Sequence, residues 1–359
     1  MGWTALPPPG QDGLLETQEG SVTIRTIGID LAKNVFELCG LDDNGDIVLR
    51  RRVRRETVLK TVGEIPPCVV GLEACTGAFF WQRQIEAFGH EVRIIAPQHV
   101  KPFGRRQKND RNDAEAIAIA ISQPRMRFVP KKSIAQQDIQ SLHRARRRMV
   151  NHRTALVSQM RGILLDRGIA FGQSITRARR LIPQIIEDTS NDLTELCREI
   201  LSSLLGLMKQ IDAKVHEFDR RIDQVFRSNE ACQRVARIRG VGPKTATAVV
   251  AAIGDGRDFD NGRHMAAWLG LVPRQHSSGD RTILMGISKR GDQHLRTLLV
   301  HGARAVVRTA VGKNDQFSQW VNALRERRGT NRAIVAVANK NARIIWALLN
   351  RNEEYRSAV

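Results

Sequence analysis

The feature that most constrains the fold is a series of short apolar segments between residues 23 and 96. Those with the length and composition of β-strands are residues 23–30, 34–41, 46–50, 68–73 and 90–96. In the first of them, Ile27 and Ile29 alternate with Thr26 and Gly28. Residues 56–64 and 77–88 have helical spacing instead. This β-β-β-α-β-α-β order predicts a mixed sheet covered by helices, and therefore an α/β domain.

Four acidic residues stand where such a sheet would bring them together. Asp30 ends the first predicted strand, Glu73 ends the fourth, and Asp110 and Asp113 follow the fifth on a helix that opens near Asn112. Residues three apart share a helix face, and strand ends in an open sheet converge on a crevice. Each acid alone could merely cap or solvate the end of an element. Together they predict a divalent-metal site, with two Mg²⁺ ions roughly 3.5 to 4 Å apart.

The charge of the chain indicates what such a metal site would act on. Lys and Arg number 57 against 37 Asp and Glu, which gives a net charge of +20 and favours polyanions, above all nucleic acid. A basic ribosomal or membrane-surface protein could carry this charge, but neither needs acidic residues among basic ones. The basic residues beside the acidic segment that we expect to contact phosphate are Arg105, Arg106, Lys108 and Arg111.

Other classes of protein are disfavoured by what the sequence lacks. The five cysteines are scattered without a C-x-x-C pair, which argues against zinc and disulfide frameworks and fits a reduced cytoplasm. There is no apolar run of about eighteen residues and no signal-peptide pattern. We therefore expect a cytoplasmic, nucleoid-associated protein without a membrane segment. Residues 1–21 are rich in Pro, Gly and polar groups and are expected to form a disordered tail.

Residues 128–229 have helical rather than strand periodicity. Two heptad patterns occur, a partial one at Leu142, Met149, Leu156 and Ile163, and a fuller one at Leu204, Met208, Ile211, Val215, Phe218, Ile222 and Val225. An antiparallel hairpin, a dimeric coiled coil or an ordinary helical bundle would each bury them. The first pattern includes the basic run at residues 144–148, in which Arg146 and Arg147 are candidates to follow a phosphate backbone.

The C-terminal part contains a second set of candidate residues. The Gly240-Val-Gly242-Pro-Lys244 turn before an alanine-rich helix resembles a helix-hairpin-helix, although it could be a plain interhelical turn. Further along, the possible serine nucleophiles are Ser277, Ser278 and Ser288, and none has a readable base, since His276 fits a turn better. The basic helix near residues 331–349 is amphipathic, and we expect it to serve the core.

Three motifs carry a resemblance to a known family. They are Thr-Ile-Gly-Ile-Asp-Leu-Ala-Lys at 26–33, Glu-Ala-Cys-Thr-Gly at 73–77 and Asn-Asp-Arg-Asn-Asp-Ala-Glu-Ala at 109–116. They resemble the D-E-D-D signature of the IS-one-ten family of bacterial insertion-sequence transposases, which are related to site-specific DNA invertases. The resemblance continues through Gly-Leu-x-Pro-Arg, Ser-Gly and Ser-Lys-Arg-Gly between residues 270 and 291.

This resemblance implies an architecture and a reaction. An RNase H-like (RuvC-like) metal domain at 22–127 would precede a coiled-coil spacer at 128–229 and a mostly helical transposase domain at 230–359. Asp30, Glu73, Asp110 and Asp113 would bind Mg²⁺, and Ser278 would attack a DNA phosphate and form a phosphoserine linkage. The expected strand contacts in the last domain are Arg274, Lys289, Arg290 and Arg296, in addition to Lys244.

The resemblance also implies partners. The metal domain of one protomer and the serine domain of another would form one composite site in a homo-oligomer, on element and target DNA, and a noncoding RNA from the element would guide it. Two other classes of function remain open on the residues alone. One is a metal-dependent structure-specific endonuclease that uses only the acids, and the other is a nonenzymatic basic nucleic-acid binder.

Overall fold

The computed structural model describes residues 23–104, 109–279 and 281–355. The chain divides into two compact units, of which the first ends at Lys131 and the second begins at Lys132. The first is a mixed α/β unit, and the second is mainly helical.

The first unit is built on one five-stranded sheet in the order β3-β2-β1-β4-β5. Its strands are β1 (Thr26–Asp30), β2 (Val35–Leu41), β3 (Ile47–Arg54), β4 (Val69–Glu73) and β5 (Glu91–Ile95). The pairs β1–β2 and β2–β3 are antiparallel, whereas β1–β4 and β4–β5 are parallel. The predicted strand succession is therefore confirmed, with ends that shift by a few residues.

Helices cover both faces of this sheet. They are α1 (Val58–Gly63), α2 (Ala78–Glu86), α3 (Pro97–Val100) and α4 (Asp110–Ser122), with a 3₁₀ turn at Lys101–Phe103. Alternate residues of β1 point to opposite faces, so Ile27 and Ile29 pack with α1 and α2 in one core while Gly28 faces α4. β4 repeats this arrangement, because Gly71 lies against Ile117 and Ile121 of α4.

The second unit begins with a pair of long antiparallel helices. These are α5 (Ile134–Leu165) and α7 (Glu195–Ser228), joined by α6 (Ile175–Glu187). Val157, Met160 and Leu164 share a core with residues of α7, whereas the predicted heptad residues Leu142 and Met149 are only partly buried. The buried line of α5 is thus displaced by one residue from the predicted one. The reason is that the buried line includes Arg146 and Arg153, and charged residues are not expected at core positions.

Those two arginines are neutralised across the helix pair. Arg146 forms a salt bridge with Asp219, and Arg153 Nη1 lies 3.0 Å from Asp212 Oδ1. Asp212 also accepts from Arg179 of α6, whose Nη2 lies 2.7 Å from Asp212 Oδ1. Paired charges with several hydrogen bonds can occupy a half-buried interface, and here they fix how α5 and α7 face each other.

The rest of the second unit packs around one helical core. Its elements are α8 (Glu230–Ala236), α9 (Pro243–Ile253), α10 (Gly262–Trp268), β6 (Pro273–Ser278), β7 (Arg281–Ile287), α11 (Gln293–Thr309), α12 (Gln316–Arg328) and α13 (Thr330–Asn350). The predicted core role of the last helix is confirmed on one face, where Val337, Ala338 and Ile345 are buried. Within the described ranges, we find no helix with the length and apolar content that a membrane crossing requires.

Candidate active site

The sheet and one helix bring three of the four predicted acids together. Asp30 lies at the end of β1, and Asp110 and Asp113 lie in the first turn of α4. One carboxylate oxygen from each lies within 4.8 Å of the others, which is close enough to share a cation. Glu73 stands outside this group of three, at the end of the parallel neighbour strand β4.

Local sequence explains why α4 delivers its acids to this point. The side chain of Asn109 caps the helix by accepting from Asn112 N at 2.8 Å, so the helix begins at Asp110 and places two carboxylates in its first turn. A helix N-terminus stabilises negative charge there. Gly28 lets the helix approach, because a Cβ at that position would lie 2.1 Å from Ala114 O.

Asp30 is the electrostatic centre of the site. Partial burial, followed by the negative charges of Asp113, Asp110 and Glu73, raises the pKa of Asp30 to about 6. Like charges raise a carboxyl pKa in this way when no cation is present, and a bound divalent ion reverses the effect. The residues therefore fit a divalent cation held by oxygen ligands, as Mg²⁺ prefers.

One acid near the site was missed by sequence reasoning. Glu37 of β2 is the direct cross-strand partner of Asp30, and its charge also raises the pKa of Asp30. Its own carboxylate lies 3.3 Å from Arg52 Nε. The β1–β2 pairing predicted from the sequence could have located Glu37, had the register been worked out.

The serine residues lie in a very different setting. β6 and β7 form a two-stranded antiparallel hairpin, a strand pair that the sequence did not predict within the helical unit. Ser278 is the last residue of β6, is exposed, and pairs with Arg281 next to a turn that contains Gly279 at φ 56°. Among the described residues, none forms a hydrogen bond with the Ser278 hydroxyl.

The two alternative serines have hydroxyls that are already engaged. Ser277 Oγ accepts from Gln275 Nε2 at 2.7 Å and donates to Thr282 Oγ1 at 3.4 Å. Ser288 Oγ accepts from the backbone N–H of Arg290 at 3.4 Å. His276 is exposed on the same strand as Ser278, next to Ser277.

The Gly-x-Gly turn joins α8 to α9 as predicted, but one of its glycines has a packing role. Gly240 has φ 84°, and a Cβ there would lie 2.8 Å from Gly302 O of α11. Gly242 caps α9 with its backbone and has open space around it. Lys244 lies in the first turn of α9, and its Nζ is 3.2 Å from Asp219 Oδ1. Asp219 of α7 therefore compensates the charge of Lys244.

The predicted nucleic-acid contacts fall into three groups. Arg105, Arg106 and Lys108 lie outside the described residues. Those that are exposed are Arg111, Arg147, Arg274, Lys289 and Arg290. Those whose side chains bind within the protein are Arg146 and Lys244, both on Asp219, and Arg296, whose Nη1 donates to Leu269 O at 3.0 Å and to Arg290 O at 3.3 Å.

Two family models match the chain in separate segments. Residues 27–167 match a transposase domain described as DEDD_Tnp_IS110, and residues 232–319 match the domain described as Transposase IS116/IS110/IS902 family. The first match contains all four predicted acids, and the second contains Ser278. The IS110 family of these models is the IS-one-ten family of the sequence motifs.

Similar proteins cover almost the whole chain. The chain is 44% identical to the transposase for insertion sequence element IS1111A of Coxiella burnetii, over 98% of this chain and 99% of the relative. It is 45% identical to a probable family 20 transposase of Pseudomonas aeruginosa, over 93% and 99%.

A more distant relative is the pilin gene-inverting protein of Moraxella lacunata, at 24% identity over 92% of this chain and 97% of the relative. The resemblance seen in the sequence motifs, to transposases and to related invertases, is thereby confirmed. This chain belongs to the IS110/IS116/IS902 family of transposases.

Proposed function

We propose that this transposase cleaves and rejoins DNA strands to mobilise an insertion sequence, through a metal-binding acidic site and a serine nucleophile. Membership of the family implies an enzyme that cuts and rejoins DNA and uses divalent metal. The observation that carries the proposal is the convergence of Asp30, Asp110 and Asp113 within 4.8 Å of one another in a chain of net charge +20. Like-charged side chains repel, so such a cluster is stable when a cation joins it.

Asp30, Glu73, Asp110 and Asp113 would hold the metal, which we take to be two Mg²⁺ ions. The sheet has the strand order β3-β2-β1-β4-β5, in which β3, β2 and β1 are antiparallel neighbours and β4 and β5 run parallel to β1. This topology supports an RNase H-like assignment for the unit. When bound, Mg²⁺ neutralises the negative charge that develops on a phosphodiester during displacement. Asn109 and Gly28 keep the carboxylates oriented, because they fix the start of α4 and its distance from β1.

Ser278 is the proposed nucleophile. Its Oγ would form a bond to the phosphorus while the bond from phosphorus to one deoxyribose oxygen breaks, and the proton lost by the serine balances the proton gained by the leaving oxygen. The covalent intermediate is itself a phosphodiester, between the serine and the DNA strand. The energy of the broken bond is therefore conserved, and the reverse reaction rejoins a strand without a high-energy cofactor. Support comes from the exposure of Ser278 and from its hydroxyl, which differs from those of Ser277 and Ser288 in having no partner among described residues.

The decisive experiment looks for a covalent intermediate. Purified protein is incubated with element DNA, candidate RNA and Mg²⁺, and denaturing electrophoresis detects the protein–DNA adduct. We expect Ser278→Ala to abolish the adduct and Ser277→Ala, the matched neighbour, to retain it. An adduct that persists in Ser278→Ala would overturn the assignment.

The same assay separates the alternative functions. A metal-dependent structure-specific endonuclease would still cut DNA in Ser278→Ala and would form no adduct in any variant. A nonenzymatic nucleic-acid binder would show neither product, and its DNA affinity would be unchanged by Asp30→Ala.

Two further partners belong to the proposal. No described side chain forms a hydrogen bond with the Ser278 hydroxyl, and His276 on the same strand makes no such contact, so we infer that the acidic site of a second protomer completes the site in a homo-oligomer. A noncoding RNA from the element would direct this assembly to its DNA in the cytoplasm, at the nucleoid, and the high positive charge supports RNA binding without specifying a sequence. Omitting the RNA from the adduct assay tests this, because adduct formation that is equally efficient without RNA contradicts it.

A further inference from the structure

We propose that a groove in the second unit, bordered by the serine hairpin, α12 and α13, binds an unpaired DNA strand. The groove has a volume of about 2380 Å³. β7 supplies one wall through Leu284 and Met285, and α12 supplies Phe317 and Trp320. All residues that line the groove belong to the second unit, and the choice of DNA rests on the proposed function.

The charge of the groove fits a polyanion. Its cationic lining residues are Arg263, Arg328, Arg332, Lys340 and Arg343, and none of them forms a salt bridge with a described residue. The two acids of the lining are neutralised instead, Glu354 by Arg237 and Glu353 by Arg351 at 3.9 Å. Five cations without an acidic partner among the described residues line one concave surface, and such a concentration of positive charge suits phosphate groups.

The spacing along α13 suits a strand of several nucleotides. Arg332, Ala336, Lys340, Arg343 and Ala347 share the face of α13 that looks into the groove, opposite to its buried face. At 1.5 Å per residue, Arg332 and Arg343 are about 17 Å apart along the axis, which is long enough for several successive phosphates of one strand.

The aromatic side chains distinguish an unpaired strand from a duplex. Lys340 Nζ lies over the Trp320 ring, 4.5 Å from its centroid, and 5.8 Å from that of Phe317. A base that stacks on this face of Trp320 would displace the Lys340 ammonium, which could then bind the phosphate of the same nucleotide, and proteins that bind single strands combine stacking with cations in this way. Bases inside a duplex already stack on one another and cannot use these rings.

The apolar wall has the same consequence. Leu284 is 65% exposed and Met285 is 43% exposed. The part of the hairpin next to Ser278 is polar by comparison. Exposed apolar side chains of this size in a basic groove would be covered by base faces rather than by phosphates. The groove borders the hairpin at Pro273 and residues 284–287, whereas Ser278 lies at the tip of the same hairpin, opposite Arg281.

Two of the five tryptophans, Trp320 and Trp346, line the groove, so in a fluorescence titration of the full chain the part of the change that is lost in Trp320→Phe reports on Trp320. The titration uses a 20-nucleotide oligothymidylate in EDTA, so that binding is measured without cleavage. We expect quenching that is largely lost in Trp320→Phe, since the base would stack on Trp320, and little quenching by a duplex of equal length. Quenching of the same size in Trp320→Phe would overturn the proposal.

Arg328 and Arg327 provide a matched pair, because both are exposed neighbours on α12 and only Arg328 lines the groove. We expect Arg328→Ala to raise the Kd for oligothymidylate about 5-fold and Arg327→Ala to change it less than 2-fold. Joint replacement of Arg328, Arg332 and Arg343 by Ala would reduce the slope of log K against log salt by about 2, at about 0.7 for each phosphate contact. Equal effects at Arg327 and Arg328, or an unchanged slope, contradict the proposal.

An oligouridylate of equal length tests the commitment to DNA. Tighter binding of the RNA, with Trp320-dependent quenching, would overturn that commitment. None of these measurements requires Ser278 or metal. A failed adduct assay with intact Trp320 quenching would therefore contradict the proposed serine chemistry but support the groove. A successful adduct assay without Trp320-dependent quenching would support the serine chemistry and contradict the groove.

Discussion

The acidic cluster and the serine hairpin, the two parts of the proposed active site, are held by the fold in opposite ways. Asp30, Asp110 and Asp113 are fixed by a buried five-stranded sheet and a helix packed against it, with Gly28 setting their separation. Ser278 lies on a two-stranded hairpin whose residues are almost all exposed. The acidic residues are preorganised by the fold, whereas the Ser278 hydroxyl is exposed and has no hydrogen-bond partner among the described residues. The difference teaches that the fold alone holds the acidic residues in place, whereas the proposed role of Ser278 depends on contacts beyond its own hairpin.

The largest expected effect tests whether the two components act in different protomers. Asp30→Asn and Ser278→Ala should each reduce adduct formation by on the order of 10³-fold or more. Asp30→Asn removes a carboxylate that would hold the metal, and Ser278→Ala removes the nucleophile. Mixing the two variants should restore part of the adduct, carried on the Asp30→Asn chain with its intact serine. The two variants are made as chains of different size, so that electrophoresis shows which of them carries the adduct and in what yield. Persistent inactivity of the mixture would place both components in one protomer.

The next effect tests the preorganisation of the acidic site. Gly28→Ala should lower the free energy of unfolding by about 2–3 kcal/mol, because the new Cβ would collide with the backbone of α4. Thermal melting measures the loss, and Mg²⁺-dependent cleavage should fall with it, since α4 carries two of the acids.

The control for this change is Gly206→Ala, on the exposed side of α7 with open space around it. A glycine inside a helix costs about 1 kcal/mol relative to alanine, so this variant should be more stable than the parent chain. A Gly28→Ala protein as stable as the parent would show that the contact between β1 and α4 is not close-fitting.

The two units should also respond to pH in opposite directions. In the second unit, burial, followed by the charges of His294, Arg146 and Lys244, lowers the pKa of His143 from 6.5 to about 4. Between those values the unfolded chain takes up a proton that the folded chain refuses, so stability is lost as the pH falls from 6.5 to 4. We expect a loss of about 2 kcal/mol that is reduced in His143→Gln, which can keep a hydrogen bond to Thr247.

Asp30 behaves in the opposite way when metal is removed. Its pKa of about 6 exceeds the ordinary 3.8, so in EDTA the folded chain holds a proton that the unfolded chain has lost, and stability falls as the pH rises from 3.8 to 6. Asp30→Asn should therefore be more stable than the parent at pH 7 in EDTA, by about 1 kcal/mol after solvent screening, and equal to it near pH 4. Thermal melts at both pH values measure this, and a less stable Asp30→Asn at pH 7 would contradict the cause given for the raised pKa.

Much of the first unit could be predicted from the sequence, because its strands alternate clearly and its acids stand at strand ends. Asp30 and Glu73 were placed correctly on β1 and β4, and Asp110 and Asp113 on the following helix. Glu37 was missed because it depends on cross-strand register, which periodicity alone does not give.

The second unit was harder to predict for a different reason. The buried line of α5 contains Arg146 and Arg153, which look like a solvated face until Asp219 and Asp212 are seen opposite them. The β6–β7 hairpin has almost no burial pattern, and its one sequence signal, the Gly-Asp dipeptide at 279–280, was missed because no alternating apolar strands flank it. The outer face of α13 lines the groove although its sequence favours a core role, because one helix can serve both.

Peptide mass spectrometry of the denaturation-resistant adduct tests the central claim most directly. After nuclease and protease digestion of a reaction with Mg²⁺, we predict a nucleotide mass on the peptide that contains Ser278, with fragmentation placing it on that residue, and no such mass in Asp30→Asn. A nucleotide on any other side chain, or DNA cleavage with no modified peptide, would contradict it.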